Sequence, residues 1–503
     1  MSQLFRTKSI DALITDSEQS GQRLQRSLGL WSLTALGIGA VIGSGIFTLT
    51  GTASAGLTLS TSSVLHAPVL DLLLNGPDAV STIGRPGAGP AVALSFLLLA
   101  LVCGLAGLCY AELASMIPVA GSAYTYAYAT MGEIVAWIIG WDLILEYAVS
   151  NMAVSVGFSA YLNAILRGAF GMELPAVLSQ PTIVNGEFSG AWFNLPTLLV
   201  LMAVSFILSR GVKESANTNT VMVVIKVAAI LIFVFGAAGS IKASNYTPFL
   251  PNGFTGVLTG AAIVFFTYIG FDSVSTAAEE CKNPKRDLPL GIFLTLGICA
   301  LLYAAVATVL TGIVPWNTLG NAAPVANALS TIGKENLQVV VSTGAVIGML
   351  SSLMVFQYGQ ARIWFVMARD RFLPDVFSRI HPRHKTPHIS TWIAGFLVGI
   401  PAGIFDIGTF ADLSNIGTLF AFVLASAGVI VLRRRQPERA RGFRVPWVPF
   451  LPLLSIFFCV VLMLSLPLET WIRFFVWMGI GLAIYAFYGK RRAACKVNPP
   501  ISY

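Results

Sequence analysis

Long uncharged hydrophobic runs alternate with short polar connections along almost the whole chain. Runs near residues 31–56, 89–114, 132–165, 192–209, 217–239, 256–279, 289–313, 337–361, 387–405, 410–432, 447–466 and 470–489 each have the length a helix needs to cross a bilayer. The first run differs from a simple lipid-spanning helix. Its stretch Gly37-Ile-Gly-Ala-Val-Ile-Gly-Ser-Gly-Ile-Phe47 holds four glycines in eleven residues. Each glycine costs a helix about 1 kcal/mol relative to alanine. Backbone that leaves the helix at membrane depth is tolerated only where it is buried in protein or lines a watery cavity. The run is therefore predicted to be a broken helix whose freed backbone groups face a ligand, as in secondary transporters.

The sixth run, with Gly270, Asp272 and a series of Ser and Thr near its middle, is expected to break as well. If runs 1–5 and 6–10 are inverted repeats, the two broken helices head their repeats and runs 11 and 12 are accessory. This follows from position alone, since the halves share no visible identity. The chain then divides into a tail at 1–30, a transport core at 31–432, a basic loop at 433–446, accessory helices at 447–489 and a tail at 490–503. An external loop at 57–88 is read as a variable surface insertion with a short helix near Val64–Leu74.

Composition agrees with this class. Of 503 residues, 55% are hydrophobic and 11% charged, against about 25% charged in soluble domains. The net charge of +8 is a matter of topology. Twenty-five of the 31 Lys and Arg fall in the tails and loops of one side, five fall on the other side, and Lys226 lies inside a run. The positive-inside rule puts both termini in the cytoplasm of a multi-pass plasma-membrane protein, and the distribution argues against a nucleic-acid surface. Residues 1–30 are polar, so no cleavable signal peptide is expected. The six cysteines offer neither a disulfide framework nor a metal motif. His381, His384 and His388 share a basic loop and are read as solvated, not as a metal site.

At the first break, Val41, Ile42, Gly43, Ser44, Gly45 and Ile46 form one side of the expected substrate site. Backbone N–H groups at the start of a half-helix suit a carboxylate. Carbonyls freed at Val41, and around Phe266 and Ile269 in the sixth run, suit an ammonium group, and Gly270 beside them is a further substrate-binding candidate. Donors facing acceptors in this way match the two charges of an amino acid. The plainer alternative is that the glycines only allow close helix packing. Phe266 is a candidate lid.

Lys226, within Val221-Met-Val-Val-Ile-Lys-Val227, is costly in a span and so a functional candidate. It could carry a proton or supply a fixed charge in place of a sodium ion; the alternative is a lysine that snorkels to the interface. Glu146, four residues after Asp142 on one helix face, is the expected partner of Lys226, and Asp272 is a further candidate for proton coupling. For Asp142 and Glu112, structural ion pairing is an equal reading.

Together these residues resemble the amino acid–polyamine–organocation superfamily, above all its cationic amino acid transporter branch and bacterial relatives. The matching stretches are Gly37–Phe47, Cys109–Ser115 with Pro118–Tyr126, Gly140–Tyr147, Ile225–Val227, Phe265–Glu280 with Asn283–Pro289, and Tyr358–Arg362 with Met367–Asp370. The resemblance implies an all-α integral membrane protein of about twelve helices, with a leucine-transporter-type five-plus-five inverted repeat, broken helices 1 and 6, and alternating access. It implies that Ser44 and Gly45 bind the substrate carboxylate, and that the carbonyls of Val41, Phe266 and Ile269 take the ammonium. It further implies that Lys226 stands where related transporters bind sodium, and that Phe356 lines the side-chain pocket and favours a small substrate. The long 57–88 loop departs from the pattern.

The expected function is proton-coupled uptake of small neutral L-amino acids, with no cofactor beyond the proton gradient and no metal. Alternatives are a cationic amino acid carrier, a polyamine carrier, an amino acid exchanger, or a membrane receptor that senses amino acids. No nucleophile–base set in the spans suggests an enzyme.

Overall fold

The computed structural model describes residues 7–11, 13–14, 28–57, 64–76, 85–119, 122–184, 187–210, 215–278, 281–381, 384 and 386–489. The tail at 490–503, most of the tail at 1–30, and residues 58–63 and 77–84 of the external loop lie outside the described residues. The chain is mostly helical, and every predicted run contains a helix. The principal helices are α1 (Leu30–Val41), α2 (Ser44–Ala55), α3 (Val92–Met116), α4 (Glu133–Phe170), α5 (Leu195–Ser209), α6 (Ser215–Ala238), α7 (Gly253–Val264), α8 (Pro284–Ile313), α9 (Glu335–Arg369), α10 (His388–Ile404), α11 (Ile407–Arg435), α12 (Phe450–Leu464) and α13 (Leu468–Ile484). Among the described residues, eight spans are long and apolar enough to cross a membrane. One further span is the pair α1 and α2, bent by 45°, while α5, α10 and α12 are shorter apolar helices.

Helix ends depart from the predicted runs where polar residues favour more helix. α8 begins five residues before the expected 289, because Pro284 takes a first-turn position and Asp287 complements the positive helix end. α11 starts at Asp406, whose carboxylate accepts from the Gly408 N–H (3.0 Å) and the Thr409 hydroxyl (2.7 Å). It ends on Arg433, Arg434 and Arg435, where cations suit the negative helix end. The predicted short helix of the external loop is found at Val69–Asn75, preceded by a single 3-10 turn at Val64–His66. It docks on the turn between α12 and α13 through Val69 N–H to Leu466 O (3.1 Å) and Leu468 N–H to Ala67 O (3.0 Å).

Packing sorts the helices into two groups. α8 lies along α3 and α1, and α7 lies on α3 and α2. In the other group α4 packs on α9, and α5 on α10. α6 touches both, meeting α1 on one side and α9 on the other. α13 is fastened to α4 by stacked Trp141 and Trp477, 4.6 Å between ring centres, whose indole N–H groups each donate to the other's backbone carbonyl. The two breaks face each other where the groups meet.

Candidate functional site

The first break is two residues long. Ile42 is extended (φ −80°, ψ 90°) and Gly43 follows in an irregular conformation (φ −117°, ψ −141°) before α2 begins at Ser44. Carbonyls at the end of α1 thereby lose their intrahelical donors. Lys226 of α6, completely buried, supplies the replacement. Its ammonium donates to Gly39 O and to Ile42 O, both at 2.7 Å. The Ser352 hydroxyl of α9 reaches the same two oxygens at 3.1 and 3.2 Å. The Lys226 amino group thus sits on the negative end of α1, against two carbonyl oxygens and one hydroxyl. Gly348 makes room for the lysine stem, since a Cβ there would lie 2.9 Å from the Lys226 Cβ.

The second break runs from a 3-10 turn at Phe265–Tyr268 through extended Ile269 to Gly270, and helix resumes at Ser273–Thr276. Gly270 has φ +113°, a conformation that other residues rarely adopt. The two breaks touch directly. A Cβ on Gly270 would lie 2.8 Å from Ala40 Cβ, and one on Gly45 would lie 2.7 Å from Thr267 Cγ2. The Tyr303 hydroxyl of α8 lies between them, 3.0 Å from Val41 O and 2.8 Å from Thr267 O.

The glycines of the first run therefore serve packing as well as the break. Gly37 lies against Thr295, Gly39 against Asn219 and Gly43 against Ser352.

Each candidate site residue is now placed. Val41, Ile42, Gly43, Ser44, Gly45, Ile46, Phe266, Ile269 and Gly270 gather at the junction of the breaks, and all are buried. Phe356 of α9 is also buried and meets the Tyr147 ring edge-on at 5.9 Å. Two carbonyls offered to an ammonium already carry protein donors: Val41 O accepts from the Gly43 N–H (3.1 Å) beside Tyr303, and Phe266 O accepts from the Ile269 N–H (3.3 Å). The Ser44 hydroxyl reaches toward Ala153 O, at 3.5 Å.

The expected pairing of Glu146 with Lys226 does not form. The lysine is held by carbonyls, and Glu146 has Asp272, Asp142 and the Thr418 hydroxyl for neighbours. Asp272 in turn is approached by the Ser122 hydroxyl at 3.4 Å. Helix geometry explains the outcome: a buried ammonium takes the nearest unpaired oxygens, and the broken end of α1 offers them. Sequence reasoning missed Ser352 and Tyr303. A lone Ser or Tyr in an apolar run carries no signal until the fold brings it to a freed carbonyl.

The profile of the amino acid permease family matches residues 79–488. The chain belongs to the amino acid permease family. The permease is 44% identical to a branched-chain amino acid permease of Bacillus subtilis, covering 97% of this chain and 98% of the relative. It is 42% identical to a methylthioribose transporter of the same organism, over 98% and 99% of the two chains. A plant relative, the chloroplastic cationic amino acid transporter 9 of Arabidopsis thaliana, is 34% identical over 94% of this chain and 90% of its own. Family and relatives mark the chain as a transporter and not an enzyme.

The basic end of the permease is held by Glu112, at the end of α3. Its carboxylate accepts from Arg433 Nε (2.8 Å) and Nη2 (2.7 Å), Arg441 Nε (3.0 Å) and the Val445 N–H (2.7 Å). Ion pairing, one of its two predicted readings, is the arrangement found. Removing one partner of a buried pair leaves the other uncompensated, at a cost of about 3–5 kcal/mol. Glu112→Gln is expected to lower the thermal unfolding midpoint of the detergent-solubilised permease clearly, and an unchanged midpoint would mean the clamp bears no load. The His381 ring contacts those of His384 and His388, and His381 Nδ1 accepts from the His384 N–H (3.2 Å).

Proposed function

We propose that the permease takes up small neutral L-amino acids, branched-chain ones among them, across the plasma membrane by proton-coupled alternating access. The observation that carries this reading is the Lys226 ammonium seated on Gly39 O and Ile42 O. It occupies the position that a bound cation would need at the broken end of α1, so no metal cation is required there. In the proposed cycle the protonated lysine holds the first break in shape, and loss of that proton loosens these contacts and lets the broken helices move. Glu146 and Asp272, both buried, pass the proton onward. The proton gradient is the energy source and no cofactor takes part.

The substrate docks between the breaks. Its carboxylate takes the N–H groups of Ser44, Gly45 and Ile46 at the start of α2, which have no intrahelical acceptor. Its ammonium takes the carbonyl oxygens of the second break, with Ile269 O favoured because Phe266 O is already engaged. Phe266 covers the bound molecule. Phe356 and Tyr147 close the side-chain pocket with apolar surface, which favours an uncharged side chain. The same reading takes the bundle as twelve crossings, with a five-plus-five inverted repeat headed by the two breaks. The basic loops then face the cytoplasm, and so do both termini.

One relative is named for methylthioribose, a sugar thioether with neither charge of an amino acid, and this supports a second reading of the pocket. Proteoliposomes separate the two. Under an imposed inward pH gradient, labelled L-leucine, L-isoleucine or L-valine should accumulate, while L-lysine and methylthioribose should not. Accumulation of methylthioribose alone would replace the amino acid reading. Accumulation that follows a sodium gradient would overturn proton coupling.

A further inference from the structure

Among the described residues, two buried ion-pair sites have opposite character. At the basic end the Glu112 clamp is saturated. Besides the four bonds to Glu112, Arg441 gives Nη1 to Pro437 O and Arg439 O, and Nη2 to Gln436 O. At the other end Arg85, 5% exposed, gives only Nη1 to Asp412 Oδ2, at 2.7 Å. Its Nε and Nη2 are buried without a partner among the described residues. A guanidinium carries five donors and is costly to bury with some of them idle. A pair meant only to hold the fold gains from satisfying them all, as Arg441 does. A pair that must part and re-form gains from the reverse. When it opens, water reaches every donor and returns much of the desolvation penalty, so the closed form is specified without being locked.

The pair also bridges the two helix groups. Arg85 lies in a two-residue strand, β2 (Arg85–Pro86), antiparallel to β1 (Gly56–Leu57) at the end of α2. The next residues fasten it further: Ala88 N–H donates to Ala53 O (2.8 Å), Asn252 Nδ2 to Gly87 O (2.8 Å) and Ala91 N–H to Phe249 O (3.2 Å). Arg85 therefore moves with the outer ends of α2, α3 and α7. Asp412 is in the second turn of α11, which packs mainly along α4 in the other group and to a lesser extent on α3. At the junction of the breaks, every candidate substrate residue is shut off from solvent.

We propose that the Arg85–Asp412 ion pair is the latch over the substrate site on the face opposite the basic loops, and that its parting admits the amino acid. This rests on the transport reading above. Its test needs no substrate. Thr48 lies one turn from Ser44 toward that face, buried, with its hydroxyl unpartnered among the described residues. In Thr48→Cys proteoliposomes the latch shields the new thiol from a membrane-impermeant maleimide added outside. Adding Arg85→Gln is expected to speed labelling about tenfold, the scale of a lost charge-assisted hydrogen bond. Asp412→Asn, which keeps the shape of the partner, should speed it likewise. Exchanging the charges, Arg85→Asp with Asp412→Arg, should restore slow labelling. In uptake assays the single variants should lose maximal rate more than apparent affinity.

Equal labelling rates with the pair intact and broken would overturn the latch. Should Arg85→Gln not fold, Asp412→Asn decides in the same assay. Faster labelling in a permease that carries none of the tested amino acids would uphold the latch and reject the transport reading.

Discussion

Lys226→Met should abolish accumulation of labelled amino acid under a pH gradient while leaving a folded permease. The two parts of this result have different physical origins. The ammonium gives two charge-assisted hydrogen bonds, to Gly39 O and Ile42 O, worth about 1.5–3 kcal/mol each. Burying that charge costs several kcal/mol, so the net loss of stability on its removal is modest. Ser352 remains within reach of both carbonyls and can donate its one hydroxyl hydrogen to either. The proposed coupling has no such substitute, because methionine can neither bind nor release a proton. Size-exclusion chromatography and thermal unfolding report the first part, and gradient-driven uptake in proteoliposomes reports the second. A Lys226→Met permease that accumulates substrate like the wild type would remove the lysine from the coupling mechanism. Exchange of labelled for unlabelled substrate in that variant, without net accumulation, would place the lysine in coupling and not in binding.

Gly45→Val is expected to weaken substrate binding about 5–150-fold, from an overpacking cost of about 1–3 kcal/mol at a filled site. The reason is the contact between the breaks. Even a Cβ at Gly45 would lie 2.7 Å from Thr267 Cγ2 and 3.3 Å from the Phe266 ring, so valine must push the second break away from the first. This changes how the substitution is to be interpreted. If Gly45 did no more than shape the start of α2 for a carboxylate, a polyamine carrier, whose substrate has none, would survive Gly45→Val. The geometry makes it a test of the whole junction, and any substrate should suffer. Ser44→Ala is the selective companion. It removes a hydroxyl that reaches only Ala153 O at 3.5 Å and leaves the backbone donors in place. Equilibrium binding of a labelled branched-chain amino acid to both variants decides the matter; Gly45→Val binding as tightly as Ser44→Ala would contradict the junction.

The fold was legible to the extent that the bilayer enforces it. Uncharged runs of sufficient length can only be helices there, because no water is present to satisfy a backbone left open. Four glycines in one run and Gly270 beside Asp272 in another marked both breaks correctly, since such residues have no value to a helix that merely spans lipid. Lys226 announced itself by its cost. The reach of α8 back to Pro284 was missed because a hydropathy run ends where charges begin, while a helix continues as long as its backbone bonds are met.

What the sequence by itself determined was thus the class of protein, the places where its backbone opens, and the one lysine that had to find partners there. The tertiary structure alone decided which partners. It gave Lys226 the carbonyls of Gly39 and Ile42 in place of Glu146, set Tyr303 between the breaks, and stretched Arg85 across to Asp412, 327 residues away in the chain. The physical reason is common to all three. A polar group in an apolar run declares that it must be satisfied, but its partner is whichever open donor or acceptor the packing of distant helices brings within about 3 Å.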